Sequence, residues 1–373
     1  MKQNVIDIAY VVSAILFIYG LKRLQSPTTA RKGNQLAAIG MFVAVVATLF
    51  LQEIMTPVVM IIGVVVGSGI GVYLAKRVEM TGMPELVAAF NGFGGIASAL
   101  VAGAEIARFM APNAADTGGA LFDGFAAVTI SLSLVIGMIT FTGSFIAFGK
   151  LSGRISGNPI SFPGMRLFTI LFLAGTIGAV VWMVLSAGMF PGVGNEPVVQ
   201  AAIAVAVGGA VLGVLLVIPI GGADMPVVVA LLNSYSGLAA AATGFVLDNT
   251  ALIVSGALVG ASGLILTKIM CVAMNRSLLN VLIGGFGGDS GGGPAGAVSS
   301  EGKTVNSTTP DDVAILLSYA SKVIFVPGYG MAVAQAQHAV RELADELTKR
   351  DVEVKFAVHP VAGRMPGHMN VLL

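Results

Sequence analysis

The stretch GFAAVTISLSLVIGMITFTGSFIAFGK, residues 124–150, decides the fold class of this chain. No charged side chain lies between Asp123 and Lys150, and most of the residues between them are apolar. A helix needs about 20 predominantly apolar residues to span the hydrocarbon core of a bilayer. A transmembrane β-strand is shorter and alternates apolar with polar residues, which this stretch does not do. The stretch therefore predicts a membrane-spanning helix.

Other stretches on both sides share these properties. The sequence predicts an α-helical membrane bundle of about nine transmembrane helices, at roughly 4–21, 35–51, 57–75, 85–108, 124–148, 167–188, 197–219, 226–247 and 250–274. Only 10% of the residues are charged, against about 25% in a soluble domain. The net charge of +1 predicts no nucleic-acid partner. A single cysteine, Cys271, excludes an internal disulfide and a thiolate metal site.

The connections between the spans carry charges that predict the orientation. Connections after odd-numbered spans are basic, with Lys22, Arg23, Arg31, Lys32, Lys76, Arg77, Lys150, Arg154 and Arg166. The other connections carry acids, namely Glu53, Asp116, Asp123, Glu196 and Asp248. Cytoplasmic loops carry the excess of Lys and Arg. We therefore predict the N-terminus outside and, after nine spans, the C-terminus in the cytoplasm.

Polar residues at membrane depth mark candidate functional positions, because hydrocarbon penalises them. Asp224 precedes Pro226 and suits a helix N-terminus, where its alternative role is an N-cap. Asn233 follows about two and a half turns later, and we expect it on a similar face and deeper. Asn91 follows Glu85 in the fourth span, and its alternative role is an interhelical hydrogen bond.

The chain divides into three parts. Residues 1–283 form the predicted transmembrane domain, residues 284–309 a flexible linker rich in Gly and Ser, and residues 310–373 the predicted start of an α/β Rossmann-like nucleotide-binding domain. All three histidines of the chain lie in this last part. Its order predicts a helix, a short buried strand over 322–327, a long helix from 331 to about 350, and a second strand over 352–358.

The turn Gly328-Tyr329-Gly330 lies between the first of these strands and the long helix. In a β-α-β unit, such glycines let the backbone approach a pyrophosphate. Val333 stands where the motif usually has a third glycine, so the motif is incomplete. The second strand ends without the acid that normally binds an NAD ribose, which favours NADP. Arg364 is a candidate phosphate contact whose alternative is a solvated loop cation.

Several motifs, in chain order, match one family. They are VEM (78–80), MPEL (83–86), TFTGS (140–144), GGADMPVVV (221–229), LNSYSG (232–237), MNRS (274–277), PGYGMAVAQAQ (327–337) and HPVAGRMPGHMNVLL (359–373). With these motifs the chain resembles the beta subunit of proton-translocating NAD(P) transhydrogenase over nearly its whole length. The resemblance implies an oxidoreductase, active with its partner, that couples hydride transfer between NAD(H) and NADP(H) to proton translocation.

The resemblance also implies cofactors, partners and site residues. NADP(H) would bind this chain, and an alpha subunit would supply the NAD(H)-binding domain and the remaining spans. Two such protomers would form a dimer in a bacterial cytoplasmic (inner) membrane. The implied NADP(H)-binding residues are Gly328, Tyr329, Gly330, Met331, Ala332, Val333, Val361, Ala362, Gly363, Arg364 and Gly367. The implied residues of proton conduction and coupling are Glu85, Asn91, Asp224, Asn233 and Arg276. No catalytic side chain and no metal is implied.

The chain departs from the family pattern in two places. Some members carry a channel histidine where this chain has Asn91, and we predict that the alpha subunit supplies it here. The family's nucleotide domain continues beyond the position of Leu373, so we expect this domain to be incomplete on the chain. Two other functions remain open from the residues alone: a secondary transporter with a nucleotide-binding regulatory tail, and a membrane scaffold that docks a dehydrogenase.

Overall fold

The fold is taken from a computed structural model. It describes residues 2–51, 57–78, 82–109, 124–188, 196–274, 277–284, 309–360, 362–363 and 367–373. Side chains of a few residues within these ranges are not described.

Nine helices in these ranges are long and apolar enough to cross a membrane, as the sequence predicts. They are α1 (Lys2–Leu24), α2 (Pro27–Leu51), α3 (Pro57–Arg77), α4 (Met83–Phe109), α5 (Gly124–Leu151), α6 (Met165–Gly188), α7 (Glu196–Val217), α8 (Met225–Val246) and α9 (Thr250–Ala273). A 3-10 turn, Gly222–Asp224, precedes α8. Several helices begin or end beyond the predicted span because they continue through the basic residues at its ends.

The interior of the bundle is built around α5, which packs against α4, α7 and α8, while α8 also packs against α9. Glycines let the helices approach closely. A Cβ atom on Gly95 of α4 would lie 2.7 Å from the carbonyl oxygen of Gly137 of α5. A Cβ atom on Gly256 of α9 would lie 2.5 Å from the backbone nitrogen of Ala241 of α8. Small residues at such contacts are the usual basis of helix packing in membranes.

The helix α3 differs from these interior helices. None of its side chains that the structure describes is buried, and nothing lies within 4 Å of the Cβ positions of Gly63, Gly67 and Gly71. Along its described length, α3 therefore presents a mainly apolar surface to its surroundings, with Lys76 and Arg77 in its last turn.

A short helix, α10 (Leu278–Gly284), follows α9, and the polar tail begins with the short helix α11 (Pro310–Ser318). The side chain of Thr309 accepts from the backbone of Asp312, whose carboxylate accepts in return from the backbone of Thr309. This capping box satisfies two otherwise unpaired donors and starts α11 where the sequence predicts a helix. The helices α12 (Tyr329–Val333), α13 (Gln337–Lys349) and α14 (His368–Leu372) follow.

The strands β1 (Lys322–Phe325) and β2 (Glu353–Phe356) pair in parallel, with Lys322 opposite Glu353 and Phe325 opposite Phe356. The predicted β-α-β order is therefore confirmed. Among the described residues these two strands form the whole sheet.

Two details of the tail were predicted wrongly. The first strand is not buried, because Ile324 is 54% exposed and Val326 is 76% exposed. The long helix is interrupted between Val333 and Gln337, where Gln335 adopts a positive φ of 49°. That conformation belongs to the left-handed region and cannot continue a right-handed helix. The first strand is exposed because a sheet of only two strands has too few neighbouring elements to cover its faces.

Candidate functional site

Asn91 lies on the buried side of α4, where it faces α5. Its Nδ2 atom donates a 2.9 Å hydrogen bond to Oγ of Ser144. Asn91 is 8% exposed and Ser144 is 1% exposed. A buried amide needs such a partner, because an unmade hydrogen bond in hydrocarbon is costly. The interhelical bond expected as one role of Asn91 is therefore present.

Hydroxyl groups that the sequence analysis did not select continue along the same face of α5. Oγ of Ser133 forms a 2.7 Å hydrogen bond with Oγ1 of Thr243 on α8. Between Ser133 and Ser144 lies Thr140, whose buried Oγ1 has no hydrogen-bond partner within the described structure. The spacing of seven and four residues was a usable signal, because it places all three hydroxyls on one helix face.

Asp224 ends the 3-10 turn before α8 and is 9% exposed. Asp224 occupies the N-cap position of α8, as its alternative role predicts, but its side chain makes no capping hydrogen bond to the first turn of that helix. Ile220, four residues before Asp224, and Met225, directly after it, belong to one buried apolar cluster, together with Ala88 of α4. Glu85, in the first turn of α4, is half-buried.

Asn233 does not share the face of Asp224, which corrects the sequence-based expectation. Asp224 is buried, whereas Asn233 is exposed within the apolar helix α8. The reason is geometric, since nine residues at 3.6 per turn amount to two and a half turns and place two side chains on opposite sides. Its neighbour Ser234 is buried and donates a 2.6 Å hydrogen bond to the carbonyl oxygen of Gly260 on α9.

The two tail loops predicted to bind a nucleotide lie next to each other. Gly328 directly precedes α12 and follows the end of β1 by three residues, and the loop before α14 follows β2. The rings of Tyr329 and His368 are 6.2 Å apart between centroids. Gly363, with φ of 105°, lies against the imidazole of the buried His368, where no side chain fits. The loops meet because the carboxyl ends of parallel strands share one edge of the sheet.

Main chain is accessible in both loops. Nothing lies within 4 Å of the Cβ positions of Gly328, Gly330 and Gly367. In the same two loops, the side chains of Met331, Ala332 and Ala362 are half-buried. For Val333 only the backbone is described, as part of α12. Three predicted site residues, Arg276, Val361 and Arg364, lie outside the described residues.

Charges on the sheet are exposed and paired. The carboxylate of Glu353 lies 2.7 Å from Nζ of Lys355 and 3.1 Å from Nζ of Lys322. Hydrogen bonds from Lys355 and then Lys322 lower the pKa of Glu353 below its usual value. The same contact raises the pKa of Lys355. The described residues contain no group of three or more His, Cys, Asp or Glu side chains placed to hold a metal ion.

These features define a multi-pass membrane protein whose polar tail carries a parallel β-α-β unit. The family model described as NAD(P) transhydrogenase beta subunit matches residues 6–373. The NAD(P) transhydrogenase subunit beta of Rhodospirillum rubrum is 46% identical over 375 residues, which cover 100% of this chain and 78% of that protein. The counterpart from strain ATCC 11170 of that species matches equally well. The chain belongs to the NAD(P) transhydrogenase beta-subunit family.

Membership confirms the resemblance inferred from the motifs. The chain is thus part of an oxidoreductase that couples hydride transfer to proton translocation and uses NAD(H) and NADP(H). The beta designation implies an alpha-subunit partner. The comparisons do not favour the secondary transporter that the polar membrane residues left open.

Proposed function

We propose that the tail of this chain binds NADP(H), with the loops at Gly328–Val333 and Val361–Gly367 holding the cofactor. The observation that carries the proposal is the position of Tyr329, in the first loop, against His368, directly after the second loop, at the carboxyl ends of two parallel strands. The open Cβ positions of Gly328 and Gly330 leave room for a dinucleotide to approach the main chain. The nicotinamide supplies the hydride chemistry when bound. The protein's task is to orient the ring and exclude water.

A calorimetric titration of the whole chain in detergent with NADPH, and with NADH as the comparison, tests this proposal. We expect selective binding of NADPH. Gly330→Val should weaken it by roughly tenfold or more, because a branched side chain blocks the main chain. Ala314→Val, at an exposed position on α11, is the control and should bind normally. Equal binding of NADH, or normal affinity in Gly330→Val, contradicts the proposal.

In the membrane domain, we propose that Asn91, Asp224 and Asn233 take part in proton conduction, and that Glu85 and Arg276 contribute to coupling. Asn91 and Asp224 are polar groups buried in an apolar bundle. Polar and ionisable residues at membrane depth usually mark an ion pathway. Asp224→Asn and Asn233→Leu should lower the number of protons translocated per hydride transferred. A scaffold that only docks a dehydrogenase would tolerate both changes, so an unaltered ratio would count against this role.

Asn233 also supports a proposal about the partner. An exposed amide in the apolar helix α8 faces hydrocarbon unless another chain covers it. We place spans of the alpha subunit there, and assign to them the channel histidine that this chain lacks at Asn91. Two such protomers form the dimer. Cross-linking from a cysteine at 233 should reach the alpha subunit; cross-links only between beta subunits would contradict this placement.

The proposed orientation has the N-terminus outside and the C-terminus in the cytoplasm of a bacterial inner membrane. Arg23 lies 4.7 Å from the ring centre of Tyr19 at the end of α1, and Arg77 lies 5.6 Å from that of Tyr73 at the end of α3. Tyrosine is enriched at both membrane interfaces, and the excess of Lys and Arg lies on the cytoplasmic side, so the basic residues carry the assignment. Labelling of introduced cysteines with a membrane-impermeant reagent tests the orientation. A cysteine at 26 should react only from the cytoplasmic side.

The proposed domain division assigns residues 284–309 to a linker that lets the nucleotide domain reorient between hydride transfer and proton movement. Coupling between two sites needs an element that both sites bias. Removing residues 289–300 should therefore lower the proton-to-hydride ratio while NADPH binding persists. A normal ratio after this deletion would exclude the role.

A further inference from the structure

Lys150 lies in the last turn of α5 and is 4% exposed. Its Nζ atom donates three hydrogen bonds, all to main-chain carbonyl oxygens: to Asn158 at 3.2 Å, Ile218 at 2.5 Å and Ile220 at 2.8 Å. An ammonium group has three N–H donors, so each of them is used. Burying a charge is costly unless polar groups replace the lost water. The three carbonyls do so, and they fix the position of the side chain.

The carbonyls belong to two different connections. Asn158 lies between α5 and α6, while Ile218 and Ile220 lie between α7 and the 3-10 turn that ends at Asp224. Backbone bonds join the same connections, with the nitrogen of Gly222 2.7 Å from the oxygen of Gly157. Lys150 thus joins the end of α5 to the segment that carries Asp224.

The same helix also contacts Asn91. Ser144, which accepts the hydrogen bond of Asn91, precedes Lys150 by six residues, or about 9 Å along the helix axis. Between them, Ala147 belongs to the buried cluster that includes Ala88 of α4 and Met225 of α8. A packed segment of α5 therefore links the two candidate proton positions.

We infer that Lys150 is a positioning residue that couples the Asn91 site to the Asp224 segment. It acts through the carbonyls before Asp224. This inference rests on the proposed roles of Asn91 and Asp224. When the hydrogen bonds of Lys150 are lost, Ser144 still moves with α5, but the segment before Asp224 no longer moves with that helix.

The test uses the assembled complex with its alpha subunit in vesicles and measures protons translocated per hydride transferred. Lys150→Met should lower this ratio roughly tenfold. The double variant with Asp224→Asn should be no worse than Asp224→Asn alone, because both changes interrupt one path. The control is Thr142→Val, which removes a different hydrogen bond of α5, from Oγ1 to the carbonyl oxygen of Ala210 on α7 at 2.8 Å. It should leave the ratio unchanged.

Additive losses in the double variant, or an unchanged ratio in Lys150→Met, overturn the inference. If Asp224→Asn itself leaves the ratio unchanged, the proposed function of Asp224 fails instead. Should Lys150→Met not assemble, Lys150→Arg decides in its place. A planar guanidinium cannot reproduce three bonds made from one ammonium. It should lower the ratio with assembly intact, and a ratio equal to that of the unaltered complex overturns the inference.

Discussion

The membrane bundle and the β-α-β unit of the tail hold their parts together by opposite means. In the bundle, backbones touch where Gly95 meets Gly137, and the polar contact of Asn91 with Ser144 is buried. In the tail, exposed or half-buried side chains join the strands, with Glu353 between two lysines and the rings of Phe325 and Phe356 stacked at 5.3 Å. The bundle should therefore be sensitive to added volume, and the sheet to ring contacts and charge.

The largest effect is expected at a backbone contact of the bundle. Gly256→Val places branched carbon atoms against the backbone of Ala241, where even a Cβ atom would lie 2.5 Å from nitrogen. Overpacking typically costs about 1–3 kcal/mol and more where backbone must move. We expect about 3 kcal/mol or more here, seen as loss of the monodisperse species in size-exclusion chromatography. Gly175→Val, at an exposed position on α6 with nothing within 4 Å, should behave like the original chain.

The next effect concerns a buried polar contact. Asn91→Leu removes the donor to Ser144 and leaves a buried hydroxyl without it, which costs about 1–3 kcal/mol. The proton-to-hydride ratio should also change, by roughly the tenfold of a typical coupling energy. Thermal stability and proton movement in vesicles measure the two effects. Asn280→Leu, an exposed asparagine on α10, is the matched control. Equal thermal stability and an equal proton-to-hydride ratio in both variants would show that the buried hydrogen bond of Asn91 contributes to neither.

A smaller effect is expected in the tail. Phe356→Leu removes the stacked partner of Phe325, and aromatic pairs contribute about 0.5–1.5 kcal/mol beyond their buried area. Backbone amides of β1 and β2 should exchange hydrogen faster by a corresponding amount, while those of α5 do not change. Tyr319→Leu, at an 88% exposed ring, is the control. Faster exchange throughout the bundle would mean that the two regions do not behave separately.

The same two regions show what the sequence can and cannot predict. The length and apolarity of residues 124–150 suffice for a span, and the pattern from Thr309 to Phe356 suffices for β-α-β order. These signals are local. Lys150 looks like any basic residue at the end of a span, because two of its three acceptors, the carbonyls of Ile218 and Ile220, lie about 70 residues further along the sequence. The periodicity of a helix assigns a face but does not name the neighbour that covers it.

The positions of Asp224 and Asn233 illustrate this limit. Helical geometry alone places Asp224 and Asn233 on opposite faces, so the error in predicting a shared face was avoidable. Which of the two is buried depends on how α8 packs against α4, α5 and α9. The prediction that β1 is buried failed for a related reason, since apolar residues predict a strand but not the elements that would cover it.

The smallest effect is the pH dependence of the sheet. Hydrogen bonds from Lys355 and Lys322 lower the pKa of Glu353 below its usual 4.5. A carboxyl whose folded pKa is depressed contributes stability that is present above its unfolded pKa and is lost as the pH falls through the folded one. All three side chains are exposed, so the contribution is small and screened by salt.

Hydrogen exchange of the β1 and β2 amides, compared between pH values above and below 4.5, should therefore show slightly weaker protection at the acid side. Glu353→Gln should abolish this difference, because an amide does not titrate, whereas Glu342→Gln on α13 should retain it. Added salt should reduce the difference in the original chain. In the bundle, the contact between Asn91 and Ser144 contains no titrating group, so protection of α5 near Ser144 should not follow the same acid step. If amide protection fell at the same acid pH in both regions, protonation would act on the whole chain. The contrast between buried and exposed contacts would then not explain the loss of protection.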